Sequence, residues 1–393
     1  AREVRDLLGG DYYVDYADDN FEDGKVVKLG DIIAYHNETT VDWLGGFVQA
    51  NYTTDKLNLY GMGGLSSIEY SYQDWFTVEQ ELVKADPIQT YQVKGGALYN
   101  VSDNLGVFIN TGLVEKAPIL DNVIDYSGNV ATDPDNEKFL HNEIGANFGT
   151  QKLGVRVSAY DTDWQDRNLT KSVSTGQGSS GDTDIIFLKG VNQKHQGLEL
   201  ETKVKPNDMV ELDFIASFGN WKFDGDAEGT YQENEYNDEG QVVGYTTTEY
   251  QYALNGLYVG DMPQTSYIMG VTLKPVKGLR LQALYKTYDK NYSDWSPSAR
   301  EYDGSADDAD RAQVWEAPGY SKLDLHASYQ LPIKGYDIAL TGHVFNALDE
   351  VFVQDAVDNS RYNSYGTKAH LAHNAEVFLG TPRYANIGLT INF

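Results

Sequence analysis

Three groups of residues in this chain have the types and spacing to do chemistry. The first is His370-Leu-Ala-His373. On a helix this spacing would turn both imidazoles toward one metal or haem iron, although the Glu of a zinc-protease motif is absent. The second is Asp303, Asp307, Asp308 and Asp310, the densest acidic cluster, with Asp224, Asp226 and Glu228 as a weaker second. A flexible loop rich in carboxylate oxygens suits Ca²⁺, but the spacing misses the EF-hand pattern, and a solvated acidic loop is the competing reading. The third is Trp221, Trp295 and Trp315, whose rings could stack on a sugar or an aromatic chelator, or anchor the chain in lipid headgroups. No pair of carboxylates can be given acid and base roles, so no catalytic residue is assigned.

These residues fall in long loops or at strand ends, and the strands that position them have a period of two. In Arg383–Phe393, Ala385, Ile387, Leu389, Ile391 and Phe393 share one face, and Tyr384, Asn386, Gly388, Thr390 and Asn392 the other. The same pattern runs through 336–344, 323–331, 279–287, 267–273, 210–218 and 198–204. Weaker copies lie at 44–52, 57–63, 93–101, 105–113, 144–148 and 153–159, giving thirteen strands. One face is apolar. The other mixes Glu199, Glu201, Lys203, Arg280, Lys286 and Asp324, expected to form ion pairs, with His326 and His343 expected side by side. Lipid outside and a wet or filled lumen inside account for both faces.

Composition agrees. Apolar residues make up 41% of the chain, and 29 Tyr and 6 Trp suit the aromatic girdles of a membrane barrel. A net charge of −29 argues against a nucleic-acid partner, because phosphate binding needs Lys and Arg. With no cysteine there is neither a disulfide framework nor thiolate chemistry. Six tight turns, at 53–56, 102–104, 150–152, 205–208, 274–278 and 332–335, alternate with long polar stretches at 64–88, 115–137, 162–190, 222–262, 289–318 and 347–382. Short turns on one rim and long loops on the other is the plan of an outer-membrane barrel, with the short turns periplasmic. Residues 1–40 are expected to form an extracellular loop with an incomplete upstream strand near 26–36, and 41–393 the barrel portion. An odd strand count would leave edges unpaired in lipid, so further strands are expected upstream.

Four stretches carry a family resemblance: Lys94-Gly-Gly-Ala-Leu-Tyr-Asn-Val-Ser-Asp-Asn-Leu-Gly-Val-Phe-Ile-Asn-Thr-Gly112 followed by Glu115-Lys-Ala-Pro118; Lys194-His-Gln-Gly-Leu-Glu-Leu-Glu201; His343-Val-Phe-Asn-Ala-Leu-Asp349; and Gly380-Thr-Pro-Arg-Tyr384 through Phe393. Together they resemble the C-terminal part of the barrel of TonB-dependent outer-membrane receptors over residues 41–393. The resemblance implies an all-β, transmembrane antiparallel barrel of about 22 strands filled by an N-terminal plug domain, which this sequence does not contain. It implies active uptake of a scarce ligand (an iron chelate, cobalamin, haem, an oligosaccharide or a peptide) across a Gram-negative outer membrane. Outer-membrane lipid, the plug and missing strands, a TonB-type periplasmic protein and the ligand itself are the implied partners. No residue here matches the family's TonB-coupling segment.

Other readings remain open on sequence alone. A passive porin would lack a plug, and an adhesive barrel would carry no solute. A soluble secreted β-protein or carbohydrate-active enzyme would stay in water without detergent. The acidic loops favour carbohydrate, peptide or metal-bridged ligands over anions.

Overall fold

The computed structural model describes residues 12–13, 26–27, 36–75, 82–124, 128, 130–131, 134–174, 183–236, 242–333, 335–359 and 368–392. Strands of four or more residues are β1 (Asn37–Thr53), β2 (Leu57–Asp74), β3 (Ile88–Ser102), β4 (Leu105–Lys116), β5 (Glu137–Gly149), β6 (Leu153–Ser174), β7 (Thr183–Asn207), β8 (Val210–Phe223), β9 (Ala227–Tyr236), β10 (Val242–Tyr252), β11 (Thr265–Leu273), β12 (Leu279–Asp289), β13 (Tyr320–Leu331), β14 (Asp337–Phe345), β15 (Val353–Val357), β16 (Glu376–Leu379) and β17 (Tyr384–Asn392). β15 and β16 pair with each other, and the rest belong to one antiparallel sheet. Each of the thirteen expected segments overlaps one of these strands, with Tyr336 and Arg383 just outside β14 and β17. Among the described residues no helix is long and apolar enough to cross a membrane, which says nothing of strands.

Phe393 and most of 1–35 lie outside the described residues, and with them the expected upstream strand. Within that stretch Tyr12–Tyr13 pairs with Val26–Val27, and β1 takes up residues 37–40.

The chain divides into two compact units. The first comprises residues 1–48, 63–92 and 115–137. Its core is Tyr70, Tyr72, Ala85, Val123 and Ile124, with Ile68, Val83, Ile88 and Leu120 packed around them. The Tyr70 hydroxyl reaches this interior and donates to the Pro118 carbonyl at 2.8 Å, as a buried phenol must find a partner. A two-residue strand, Val83–Lys84, pairs with Ser71 and Tyr72.

The second unit comprises 49–62, 93–114 and 138–393. From β11 to β17 its register aligns one apolar face. Met269 lies opposite Tyr285, Ala283 opposite Leu325, Leu325 opposite Val344, and Leu340 opposite Leu389. Ile387 is 83% exposed and Leu389 61%, as groups that meet hydrocarbon should be in a bare chain. On the other face Lys286 pairs with Asp324 at 2.8 Å and Lys203 with Asp213 at 3.4 Å. His326 and His343 sit opposite each other with their Nδ1 atoms 2.8 Å apart, the expected side-by-side placement.

Five of the six expected tight turns lie wholly within the described residues, linking strands through two to five residues, and side chains cap several of them because so short a link leaves backbone groups unpaired. Thr54 Oγ1 accepts from Leu57 N, Thr150 Oγ1 from Lys152 N and Leu153 N, and Asn207 Oδ1 from Met209 N and Val210 N. Gly278 and Gly335 take φ of 87° and 86°, where a side chain would be strained.

The long connections differ from expectation. β2, β6 and β7 are 18, 22 and 25 residues long, beyond the roughly 9–11 that cross a bilayer. The β9–β10 hairpin occupies what the sequence reads as the loop 222–262. The extension of β2 alternates as well, with Ile68, Tyr70 and Tyr72 turned to the core of the first unit.

Candidate functional site

The outward ends of β6–β8 lead into a packed head. Ile186, Leu188 and Val191 of β7, Phe223 of β8, Ala227 of β9 and Tyr252 of β10 bury against Leu254, Leu257, Tyr292, Trp295 and Val314. Trp295 is 1% exposed at its centre. It meets Phe223 edge-on at 6.5 Å, and the Lys171 ammonium lies 5.0 Å over its ring. The expectation that Trp295 offers a stacking face is therefore corrected: it is the hydrophobic anchor of the loops. Trp315 is partly exposed, and its carbonyl accepts from Ser293 N and Ser293 Oγ, both at 2.9 Å.

The histidine pair is also separated. Residues 372–374 form one 3-10 turn and His370 has φ of 47°, so the spacing does not fall on a helix face. His370 is half-buried with its side chain 6% exposed, Nδ1 lying 2.5 Å from Asp358 Oδ2 and 3.1 Å from Arg300 Nη2, while His373 is exposed. Arg300 and Asp358 are both fully buried and pair at 3.2 Å, and Arg300 Nη1 donates to the Asp310 and Ala312 carbonyls. This node ties the 290–319 loop to the 346–383 loop. It is a structural knot in place of a haem or metal ligand pair.

The acidic cluster is spent internally as well. Asp307 Oδ1 accepts from Ala309 N and Asp310 N, and Asp310 pairs with Lys368. Burial pushes the Asp310 carboxyl up, but Lys368 and the Asp307 amide outweigh it and hold it below its ordinary value. Asp303 and Asp308 are exposed. Among the described residues no three His, Asp or Glu side chains are arranged to hold a metal ion. Asp226 is clamped by both arms of Arg311, at 2.6 and 2.8 Å, and its pKa falls to about 2.

Trp221 falls in a different setting. On the polar face, four rings from four adjacent strands form a ladder. Phe139 of β5 lies 4.6 Å from Trp164 of β6, Trp164 6.3 Å from His195 of β7, and His195 5.6 Å from Trp221 of β8. Register produces it: Phe139 is opposite Trp164 and His195 opposite Trp221. The Arg167 guanidinium covers Trp164 at 4.3 Å.

Two glycines make the floor beneath it. Gly197 and Gly219 face each other across β7 and β8, and Tyr160 of β6 is opposite Gly197. A Cβ on Gly197 would lie 2.5 Å from Tyr160 Cζ, and one on Gly219 2.8 Å from the Trp221 ring. Both rings therefore occupy the space that a side chain at each glycine would need, Tyr160 from across the strand pair and Trp221 from two residues along its own strand. Trp221 Nε1 donates to Tyr160 Oη at 2.8 Å. Gln264, itself buried, accepts from Trp221 N and donates to Trp221 O, fixing the strand behind the ring. Beside the ladder, Tyr60, Lys94, Asn110, Phe139 and His141 line part of a hollow of about 400 Å³. Asn110 donates to Glu143 at 2.9 Å, and Glu143 pairs with Arg156 at 3.0 Å.

Of this surface, the sequence reading names Trp221 and misses Phe139, Tyr160, Trp164 and His195. The ladder sits about ten to twelve residues above the short turns, where strands of this length leave the hydrocarbon.

With the fold and these surfaces in place, comparison with known proteins identifies the class. The family model described as TonB dependent receptor-like, beta-barrel matches residues 3–347. The chain belongs to this family, a family of receptors rather than enzymes, and its fold is the transmembrane antiparallel β-barrel of that family. In a barrel of this kind an apolar outer face meets lipid and a polar inner face lines the lumen. Solved structures agree on the fold. The copper transporter OprC matches with a TM-score of 0.58 and 12% identity over 90% of this chain and 48% of its own. The siderophore receptor PiuA from Acinetobacter baumannii gives 0.56 and 16% over 91% and 44%. The ferric citrate transporter FecA in its unliganded form gives 0.56 and 13% over 94% and 48%. The chain thus spans about half the length of the solved proteins it resembles. No curated protein matches the sequence.

Proposed function

We propose that this protein is a receptor of the Gram-negative outer membrane that imports a scarce ligand with energy delivered by a TonB-type periplasmic partner. Residues 41–393 are the C-terminal portion of its barrel. The observation that carries the reading is the family match over 3–347, joined to a sheet that is greasy on one face and charged on the other. A passive porin needs an open lumen. The ring ladder and ion pairs across the polar face support a wall built to touch something.

The ligand enters from the loop side. Trp221 belongs to the wall it would meet, and Trp315 to the partly exposed part of the head. Copper, ferric catecholate and ferric citrate are the cargoes named for structural neighbours, so metal-bearing ligands are the second class to test.

The test is uptake in cells with and without the TonB-type partner, and with the proton gradient collapsed. Accumulation that needs both supports the proposal. Equal accumulation in all three conditions would indicate a porin, and none for any ligand that the protein binds would indicate adhesion.

A further inference from the structure

Resting on the uptake reading above, we infer that the ring ladder and its glycine floor form a binding subsite for a neutral sugar chain on the outward part of the lumen wall. A pyranose has a C–H face and a rim of hydroxyls. The subsite presents the matching halves. Tyr160 and Trp221 fill the space over Gly197 and Gly219, and each is half-buried. Aromatic rings offer their electron-rich faces to weakly positive C–H groups. Phe139, Trp164 and His195 continue the row of rings across four strands, roughly the length of several sugar rings, with Phe139 tilted 33° and His195 49° to Trp164 and the Arg167 guanidinium over one face of Trp164.

The polar groups beside the rings suit hydroxyls. Asn110 and His141 line the adjoining hollow. Thr162 Oγ1 lies 2.7 Å from His141 Nδ1, a hydroxyl–imidazole pair able to give and take a proton in hydrogen bonds. Glu143 and Arg156 are joined in one ion pair, so together they offer donors and acceptors without net charge. Arg156 is already paired with Glu143, while Lys94 lines the hollow and Arg167 lies over Trp164, so an anionic cargo is the competing ligand that the experiment has to separate from a neutral one.

The rings are held in place before any ligand arrives. Gln264 pins the Trp221 backbone from behind, and the Tyr160 hydroxyl holds the indole N–H. A platform fixed in this way loses little entropy on binding.

The experiment uses the native protein in outer-membrane vesicles from cells lacking the TonB-type partner, so that binding is read without transport. Maltohexaose, cellohexaose, xylohexaose and chitohexaose are titrated by calorimetry and Trp fluorescence, with ferric citrate as the anionic probe. At least one hexasaccharide should saturate the protein. Trp221→Ala and Trp164→Ala should each weaken it about tenfold or more, and Trp221→Phe should retain most of the affinity, because a flat face survives. Heat-modifiable gel mobility confirms that each variant is folded. Binding by none of the hexasaccharides overturns the inference, as does binding that Trp221→Ala leaves unchanged, or binding of ferric citrate alone. The two readings fail separately. Bound glycan that never accumulates in cells with the partner refutes uptake and leaves the subsite. Partner-dependent uptake of ferric citrate, insensitive to Trp221→Ala, refutes the subsite and leaves uptake.

Discussion

Single side chains set the geometry of the lumen wall. Gly197 has no alternative there, because Tyr160 occupies the space a Cβ would need. Gly197→Val should push the phenol aside and free the Trp221 indole N–H. A shift in Trp emission shared with Tyr160→Phe, on a protein that remains folded, is the expected outcome, and an unchanged spectrum would show that the ring does not rest on Gly197. A second residue, Asp226, acts by charge. Arg311 grips it in a bidentate pair, and Leu254 N and Asn255 N also donate to Oδ1. Its pKa is lowered from 3.8 to about 2. A depressed carboxylate stabilises the folded form above its unfolded pKa and loses that contribution as pH falls through the folded value. Asp226→Asn should therefore loosen the head by about 1–2 kcal/mol at pH 7, with the difference from wild type shrinking as pH falls below about 4 and gone only below about pH 2. Protease sensitivity of the loops, measured across that range, checks the sign. At this scale the sequence was only partly legible. Trp221 stood out by type. Tyr160, Trp164 and His195 did not, because the alternating pattern stops at Ala159 and resumes at Leu198, and the strands run on past it.

Strands and loops obey different physics here, and that decides which of them can be read from sequence. All thirteen membrane strands were visible because lipid on one side and water or protein on the other imposes a period of two. The tight turns followed from Thr54, Thr150, Asn207 and the glycines at 278 and 335. The head has no such signature. Leu254, Leu257 and Val314 are isolated apolar residues in polar stretches, and only folding brings them around Trp295. The same concealment misdirected the reading of His370, Asp310 and Trp295, which look like ligand-binding residues in a loop and serve as its interior. Trp295→Ala tests this directly. Removing a fully buried indole should cost about 3–5 kcal/mol of local stability. The loss should appear as rapid hydrogen exchange and proteolysis in 250–260 and 290–317, while the strands from β11 to β17 stay protected. Protection unchanged in the loops would show that they are not held by this core.

At the scale of the whole molecule, the claim that orders the rest is that Leu340 and Leu389 touch hydrocarbon while Glu199 and Arg280 do not. Leu340 and Leu389 are cross-strand partners on β14 and β17. Arginine in place of Leu389 would bring a charge into lipid at a cost of about 2–4 kcal/mol near the bilayer midplane, less toward either surface. The wall position Thr341, on the opposite face of β14, should accept arginine at far lower cost, since it looks into the lumen. The expected outcome is a sharp fall in the heat-modifiable, folded fraction for Leu389→Arg and for Leu340→Arg, with near-wild-type folding for Thr341→Arg. The contrast between neighbours on one strand matters more than either value, because both carry the same new charge in the same strand. If Leu340→Arg and Thr341→Arg fold equally well, hydrocarbon does not lie against this face. The lumen wall, the ring ladder and the uptake reading would all lose their foundation.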